Sequence, residues 1–262
     1  MDRQQSGDAA GPKPGKASVL PKRPWPYRVI KKARGRIDRL IAGSSLIGND
    51  PVIDPALFPW TAMLRDNWRE IRAEAEALLP KMNAVPPLRS VSPDHRRIAR
   101  SDLWKSFFLF GYGYRVEENC RRCPKTAALV ARIPHLNSAF FSILLPGTHI
   151  KSHRGPTKGL VTCHLGLMVP DGDRCRMQVA DRVVGWREGD CLMFDDTYRH
   201  EVWHEGDTPR IVLLIQVRRP LRAPGKQIAS LFLAGIRRSP FVQEGRRNMA
   251  AWEAAMKAAD RS

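Results

Sequence analysis

The hydrophobic pattern changes period along the chain. Over residues 26–43, Ile30, Ala33, Ile37, Leu40 and Ile41 recur at helical spacing, with Lys31, Lys32, Arg34, Arg36 and Arg39 on the other face. That predicts a basic amphipathic helix broken only at Gly35. A Pro-punctuated connection follows over 49–60. Met63, Leu64, Trp68, Ile71, Ala75 and Leu78 then make one apolar stripe, which predicts a single helix over 60–79 that Pro80 stops. Residues 86–100 are Pro- and Arg-rich and read as loop, 103–114 are aromatic and β-prone, and 126–133 predict a short helix.

Beyond residue 138 the period becomes that of strands. Short runs of strand character occupy 139–145, 149–151, 160–169, 174–180, 182–187, 191–195, 201–204 and 211–217, broken by Gly, Pro and Asp turns. Short strands in close succession, without intervening helices, predict a sandwich or jelly roll. After Pro220, Ile228, Leu231, Phe232 and Ile236 predict a further amphipathic helix, and 250–259 a terminal one. The expected division is a flexible basic tail (1–24), a helical N-terminal section (25–100), a β domain (101–221) and a basic helical extension (222–262).

Charge narrows the partners. The 262 residues carry 44 Lys and Arg against 26 Asp and Glu, a net charge of +18, which favours an anionic partner such as a phospholipid surface, a nucleic acid or an acidic substrate. The basic residues lie in the two ends without an aromatic-interleaved platform or a helix-turn-helix pattern, which argues against nucleic acid. The first helix is open to two readings: peripheral contact with an anionic membrane, or a helix docked on the domain with a solvated basic face. Five scattered cysteines, an N-terminus without an apolar leader pattern, and the absence of any apolar run near the ~20 residues of a membrane span point to a cytoplasmic chain, peripheral to the membrane at most. Cys120 and Cys123 form one CxxC without a second pair, so they read as reduced thiols near a helix start.

The candidate chemistry sits in 140–218. His153 follows a strand and turn, His164 lies within the next strand, His200 opens another, and Arg210 comes ten residues later. Two neutral imidazoles on one barrel rim are a divalent-metal site, and an arginine on a neighbouring strand can hold a carboxylate. Asp195 and Asp196 read as a strand-end turn former and a partner orienting His200, ahead of metal or acid–base groups. His149 and His204 read as surface or structural. Phe141, Leu165, Phe194 and Trp203 are candidates to exclude water around the site.

The runs "SILLPGTHIKSHRGPTKGLVTCHLGLMVP" and "WREGDCLMFDDTYRHEVWHEGDTPRIVLLIQVRRP", with "WK", "ENC" and "PKT" upstream, resemble the aspartyl/asparaginyl β-hydroxylase family of Fe(II)- and 2-oxoglutarate-dependent oxygenases, which also includes lipid A hydroxylases. The resemblance covers about 104–221 and implies a double-stranded β-helix, the cupin-like form of the jelly roll. It implies His153 and His200 as iron ligands, Arg210 as partner of the distal carboxylate of 2-oxoglutarate, and Ser142 and His164 as further cosubstrate contacts. It implies O2 as second cosubstrate, succinate and CO2 as products, and hydroxylation of an Asp or Asn side chain of a peptide, protein or amino acid, or of a lipid. The carboxylate that a facial triad places two residues after its first histidine is here Gly155. The arginine that the family's protein hydroxylases carry two residues before the second-strand histidine is here Thr162, with Arg154 and Lys158 as the nearby cations. A non-catalytic cupin-like binding module is the alternative; the presence of His153, His200 and Arg210 weighs against it.

Overall fold

Among the described residues, eleven strands form two antiparallel sheets that face each other as a double-stranded β-helix. In chain order they are β1 (Val52–Ile53), β2 (Trp104–Gly111), β3 (Tyr114–Arg115), β4 (Leu136–Leu144), β5 (His149–His153), β6 (Leu160–Met168), β7 (Cys175–Val179), β8 (Arg182–Gly185), β9 (Cys191–Phe194), β10 (His200–His204) and β11 (Arg210–Arg218). The larger sheet has the order β1-β9-β6-β11-β4-β2-β3 and the smaller β5-β10-β7-β8. The computed structural model describes residues 25–92, 96–99 and 101–259, and the tail expected over 1–24 lies outside them.

The helices are α1 (Trp25–Gly43), α2 (Trp60–Asp66), α3 (Trp68–Glu76), α4 (Leu88–Val91), α5 (Glu117–Arg122), α6 (Pro124–Ala131), α7 (Gly225–Arg237) and α8 (Pro240–Ala259). α1 runs through Gly35 without a break. The helix expected over 60–79 is instead two helices: Asn67 leaves helical geometry (φ −111°, ψ 17°), and its side-chain amide donates to the carbonyl of Met63 at 2.8 Å. Asn side chains compete with the backbone in this way, which ends α2 one residue before Trp68 opens α3. The loop expected over 86–100 contains α4, and the connection before residue 60 contributes β1 to the sheet edge beside β9.

Both faces of the larger sheet are covered. Its outer face packs on the N-terminal helices in one core that includes Leu64, Ile71, Ala127, Phe141, Leu165 and Leu213. Its inner face meets the smaller sheet in a second core that includes Trp104, Ile150, Met177, Phe194, Val202 and Val212. Strands buried on both sides lose the polar alternation of a half-buried strand, so β4, β6 and β11 read as nearly continuous apolar runs. Cys120 and Cys123 belong to the outer core, and all five cysteines are free and buried. Among the described residues no helix is long and apolar enough to cross a membrane.

A buried ion network fastens the end of β9 to its surroundings. Asp195 is fully buried and lies 2.6 Å from Lys158 Nζ, and the guanidinium of Arg219 also pairs with it. Arg219 donates further to the carbonyls of Lys158 and Gly48, at 2.9 and 3.1 Å, and to the Ser45 hydroxyl at 3.2 Å. Removing the central anion leaves two buried cations without it, a class of change that costs about 3–5 kcal/mol. Asp195→Asn should therefore lower the urea unfolding free energy by about that amount; a change within error would mean that water or another group takes over.

Candidate active site

The antiparallel pairing of β5 with β10 sets His153 directly opposite His200. Their ring centroids are 4.0 Å apart, with planes inclined at 56°. Each ring is held the same way: His153 Nδ1 lies 2.8 Å from the carbonyl of Lys151, and His200 Nδ1 lies 3.0 Å from that of Tyr198. A carbonyl only accepts, so both Nδ1 atoms donate and each neutral ring keeps its lone pair on Nε2. Burial, and then the neighbouring His200, push the His153 pKa down to about 4; burial lowers His200 as well. Both imidazoles are thus neutral at neutral pH, the form that binds a metal.

Both histidines line a cavity of about 330 Å3. At its buried end lie Ser142 of β4, His164 of β6 and Arg210 of β11. The Ser142 hydroxyl accepts from the Trp104 indole at 3.0 Å. Arg210 is 1% exposed, sits with its guanidinium carbon 4.5 Å from the Trp186 ring centroid, and reaches the Ser142 carbonyl only at 3.4 Å. It touches the Cys175 thiol, its Nε has no hydrogen-bond partner, and among the described residues it makes no ion pair. Burial depresses its pKa, yet a guanidinium keeps its proton in proteins. It is therefore a buried cation without an anion, which an incoming carboxylate would compensate. His164 is held neutral by burial and then by Arg210.

The two departures noted in the sequence have physical counterparts. A Cβ at Gly155 would overlap the carboxylate of Asp196, so a side chain at that position would require Asp196 to move. Asp196 is buried; its Oδ2 accepts from Thr162 Oγ1 at 3.3 Å and from Gln216 Nε2 at 3.1 Å, while Oδ1 has no partner. Burial first, and then Asp195, raise its pKa to about 7. Thr162 thus hydrogen-bonds a carboxylate beside the histidines, in the place where an arginine was expected. Lys158 does not substitute for that arginine, being committed to Asp195. Arg154 is exposed at the cavity rim with Arg246, and the half-buried Arg34 bonds the Gly155 carbonyl there.

Other expectations need correction. Neither aspartate side chain orients His200: the Tyr198 carbonyl does so together with the backbone of Asp196, while Asp195 accepts from the Thr197 amide at 3.0 Å as a turn former. Of the four residues expected to exclude water, Phe194 alone lines the cavity. Phe141 and Leu165 point into the outer core, and Trp203 stacks on His149 away from the site. The apolar wall comes instead from Trp104, Phe108, Phe140, Met177 and Val202, with Leu88 and Val91 of α4 and Phe241 and Met249 of α8. Strand parity carries a signal for part of this wall: Phe140 lies two residues before Ser142 and shares its face. His149 lies 2.6 Å from Glu201 and is exposed, whereas His204 is buried; neither lines the cavity.

Among the described residues no group of three or more His, Cys, Asp or Glu side chains forms a metal cage. Two imidazole lone pairs with a buried carboxylate close by suit a divalent ion that keeps open coordination positions.

An unfolded histidine takes its proton near pH 6.5, whereas folded His153 does so only near pH 4. The folded state therefore binds fewer protons between these values, and stability falls as pH falls through that window. In metal-free protein, His153→Gln should flatten the decline of the urea unfolding free energy between pH 7 and pH 4.5, by up to about 1.4 kcal/mol per pH unit. Parallel declines in both proteins would place the His153 titration elsewhere.

Residues 65–220 match the family described as Aspartyl/Asparaginyl beta-hydroxylase. The ornithine lipid ester-linked acyl 2-hydroxylase of Rhizobium tropici is 40% identical over 208 residues, which are 79% of this chain and 74% of that protein. The human aspartyl/asparaginyl beta-hydroxylase is 32% identical over 166 residues, 62% of this chain and 21% of that protein. Human aspartate beta-hydroxylase domain-containing protein 2 is 34% identical over 191 residues, 65% of this chain and 47% of that protein. The chain thus spans less than half of either human relative. Among solved structures, the Cupin_2 domain of an XRE family transcriptional regulator from Enterobacter cloacae overlaps 45% of the chain at 12% identity, with a TM-score of 0.31. With the motif residues gathered around one cavity of a double-stranded β-helix and the family match running through the sheets that build it, the chain belongs to the aspartyl/asparaginyl β-hydroxylase family.

Proposed function

We propose that the protein is an Fe(II)- and 2-oxoglutarate-dependent hydroxylase of a lipid acyl chain. The observation that carries this reading is one cavity lined by two kinds of residue. His153, His200 and the buried cation Arg210 line it together with an apolar wall of Phe108, Phe140, Leu88, Val91, Phe241 and Met249. An acyl chain is matched to that wall, which offers an acidic or amide side chain no polar partner of its own. The rim cations Arg154 and Arg246 suit a carboxylate or phosphate headgroup at the entrance. The rhizobial relative is named for hydroxylating an ester-linked acyl chain of ornithine lipid, which supports the same substrate class here.

In this reading His153 and His200 would hold the iron, and Arg210, His164 and Ser142 would receive the cosubstrate. Bound there, iron and 2-oxoglutarate supply the oxidising chemistry that puts one oxygen of O2 into a C–H bond, with release of succinate and CO2. The chain's own part is to keep both ligand histidines deprotonated at Nε2, to offset a dicarboxylate's charge with Arg210, and to shield the reacting carbon from water with the aromatic wall.

Succinate release should accelerate when ornithine lipid micelles are added to the iron- and 2-oxoglutarate-loaded protein, and the lipid should gain one oxygen on an acyl chain. Acceleration by an Asp- or Asn-containing peptide and none by lipid would transfer the assignment to protein substrates. Arg210→Met should raise the 2-oxoglutarate Kd by about thirtyfold or more, read anaerobically from the visible charge-transfer band, since losing a buried charge partner costs at least about 2 kcal/mol. No band in folded, iron-loaded wild type would remove the cosubstrate and bring the binding-module reading forward. Met249→Trp should overfill the cavity at its apolar wall and lower lipid turnover by about tenfold, with the 2-oxoglutarate Kd within about twofold of wild type.

A further inference from the structure

Among the described residues three histidines line the cavity, and the partner on Nδ1 decides what each can do with Nε2. For His153 and His200 that partner is a carbonyl, so Nε2 carries a lone pair. For His164 it is the indole of Trp186, whose Nε1 lies 3.1 Å from His164 Nδ1. An indole N–H can only donate, so His164 Nδ1 must accept, and the neutral ring carries its proton on Nε2. That Nε2 has no partner among the described residues, although the residue is only 6% exposed. The ring with the opposite tautomer is thus the one on the strand next to Arg210, where a donor, and not a metal ligand, complements a carboxylate.

Trp186 serves Arg210 as well. Its ring is stacked with the His164 ring, with centroids 5.9 Å apart and planes at 21°, and the Arg210 guanidinium carbon stands 4.5 Å from its centroid. The residue lies between β8 and β9 and is 6% exposed. It also lines a groove of about 680 Å3 with Cys175, Arg176 and Leu192. The indole therefore closes the barrel between that groove and the two donors. Phenylalanine could supply the cation–π face and the closure, but not the N–H that sets the tautomer.

We propose that Trp186 is a positioning residue for the 2-oxoglutarate carboxylate contact: its indole N–H fixes His164 as an Nε2–H donor, and its ring holds Arg210 beside it. The inference rests on the cosubstrate assignment made above, but its first half is a statement about the protein alone.

The test combines nitrogen NMR with binding on the full-length chain labelled with [15N]histidine, His164→Gln identifying the resonances. In metal-free wild type, His164 should show an unprotonated Nδ1 and a protonated Nε2, the reverse of His153 and His200. In Trp186→Phe both His164 nitrogens should move toward tautomer-averaged positions. The anaerobic 2-oxoglutarate Kd in the presence of Fe(II) should rise about five- to tenfold, as for weakening one hydrogen bond to a charged group. Iron affinity without 2-oxoglutarate should stay within about twofold. A wild-type His164 protonated on Nδ1 overturns the inference even if the variant fails to fold, as does a folded Trp186→Phe with unchanged nitrogens and Kd. Wild type with the expected tautomer but no 2-oxoglutarate binding overturns the cosubstrate role and the functional reading with it, leaving only the tautomer assignment.

Discussion

The buried carboxylate of Asp195 is the fixed point around which the site is assembled. It is compensated from two directions, by Lys158 from the loop after β5 and by Arg219 at the end of β11. Through Arg219 it reaches the carbonyl of Gly48 and the hydroxyl of Ser45, and its own amide donates to the Pro51 carbonyl at 3.0 Å. A buried charge of this kind tolerates few alternative arrangements, because each would leave a cation or an anion uncompensated. The segment from Asp195 to His200 therefore leaves β9 in one direction only. Asp196 is delivered beside Gly155, whose amide donates to the Asp196 carbonyl at 2.6 Å, and His200 enters β10 in register with His153.

Around that point the barrel separates tasks by face. Adjacent residues on β4 and β6 serve different cores: Phe140 and Ser142 face the cavity while Phe141 packs outward, and Thr162 and His164 face it while Cys163 and Leu165 pack outward. The outer helices can thus stabilise the sheet without entering the chemistry. On the cavity side, neighbours impose the tautomers of three histidines. Two histidines are held by carbonyls, one by an indole, and one guanidinium is left uncompensated. Such preorganisation would let the proposed dicarboxylate and divalent ion bind together with little rearrangement.

How far the sequence could be read follows from the same geometry. The strands were legible because turns of Gly, Pro and Asp punctuate them and no helix intervenes, and the residues of the site were legible because the family resemblance placed them. The wall was misread in part because β4, β6 and β11 are buried on both faces, so apolar character no longer marks which face looks inward. The parity set by Ser142 and His164 would have sorted Phe140 from Phe141. The break at Asn67 is a contest between one side-chain amide and the backbone, which an apolar stripe does not register. The contributions of α4 and α8 to the cavity are long-range contacts without any local signature. The orientation of His200 by a carbonyl two residues away likewise depends on backbone geometry that neither aspartate reveals.

The packing of Asp196 against Gly155 carries a consequence for how this site can change. If His153 and His200 hold a metal as proposed, a carboxylate at Gly155 could join them only with a shift of Asp196, whose own carboxylate is held by Thr162 and Gln216. Nor would shortening Asp196 first be neutral, because it would strand those two buried partners. The two positions are coupled: a change at either one disturbs the other. In the proposed two-histidine site, the volume of a single neighbouring side chain thereby opposes the stepwise arrival of a third ligand.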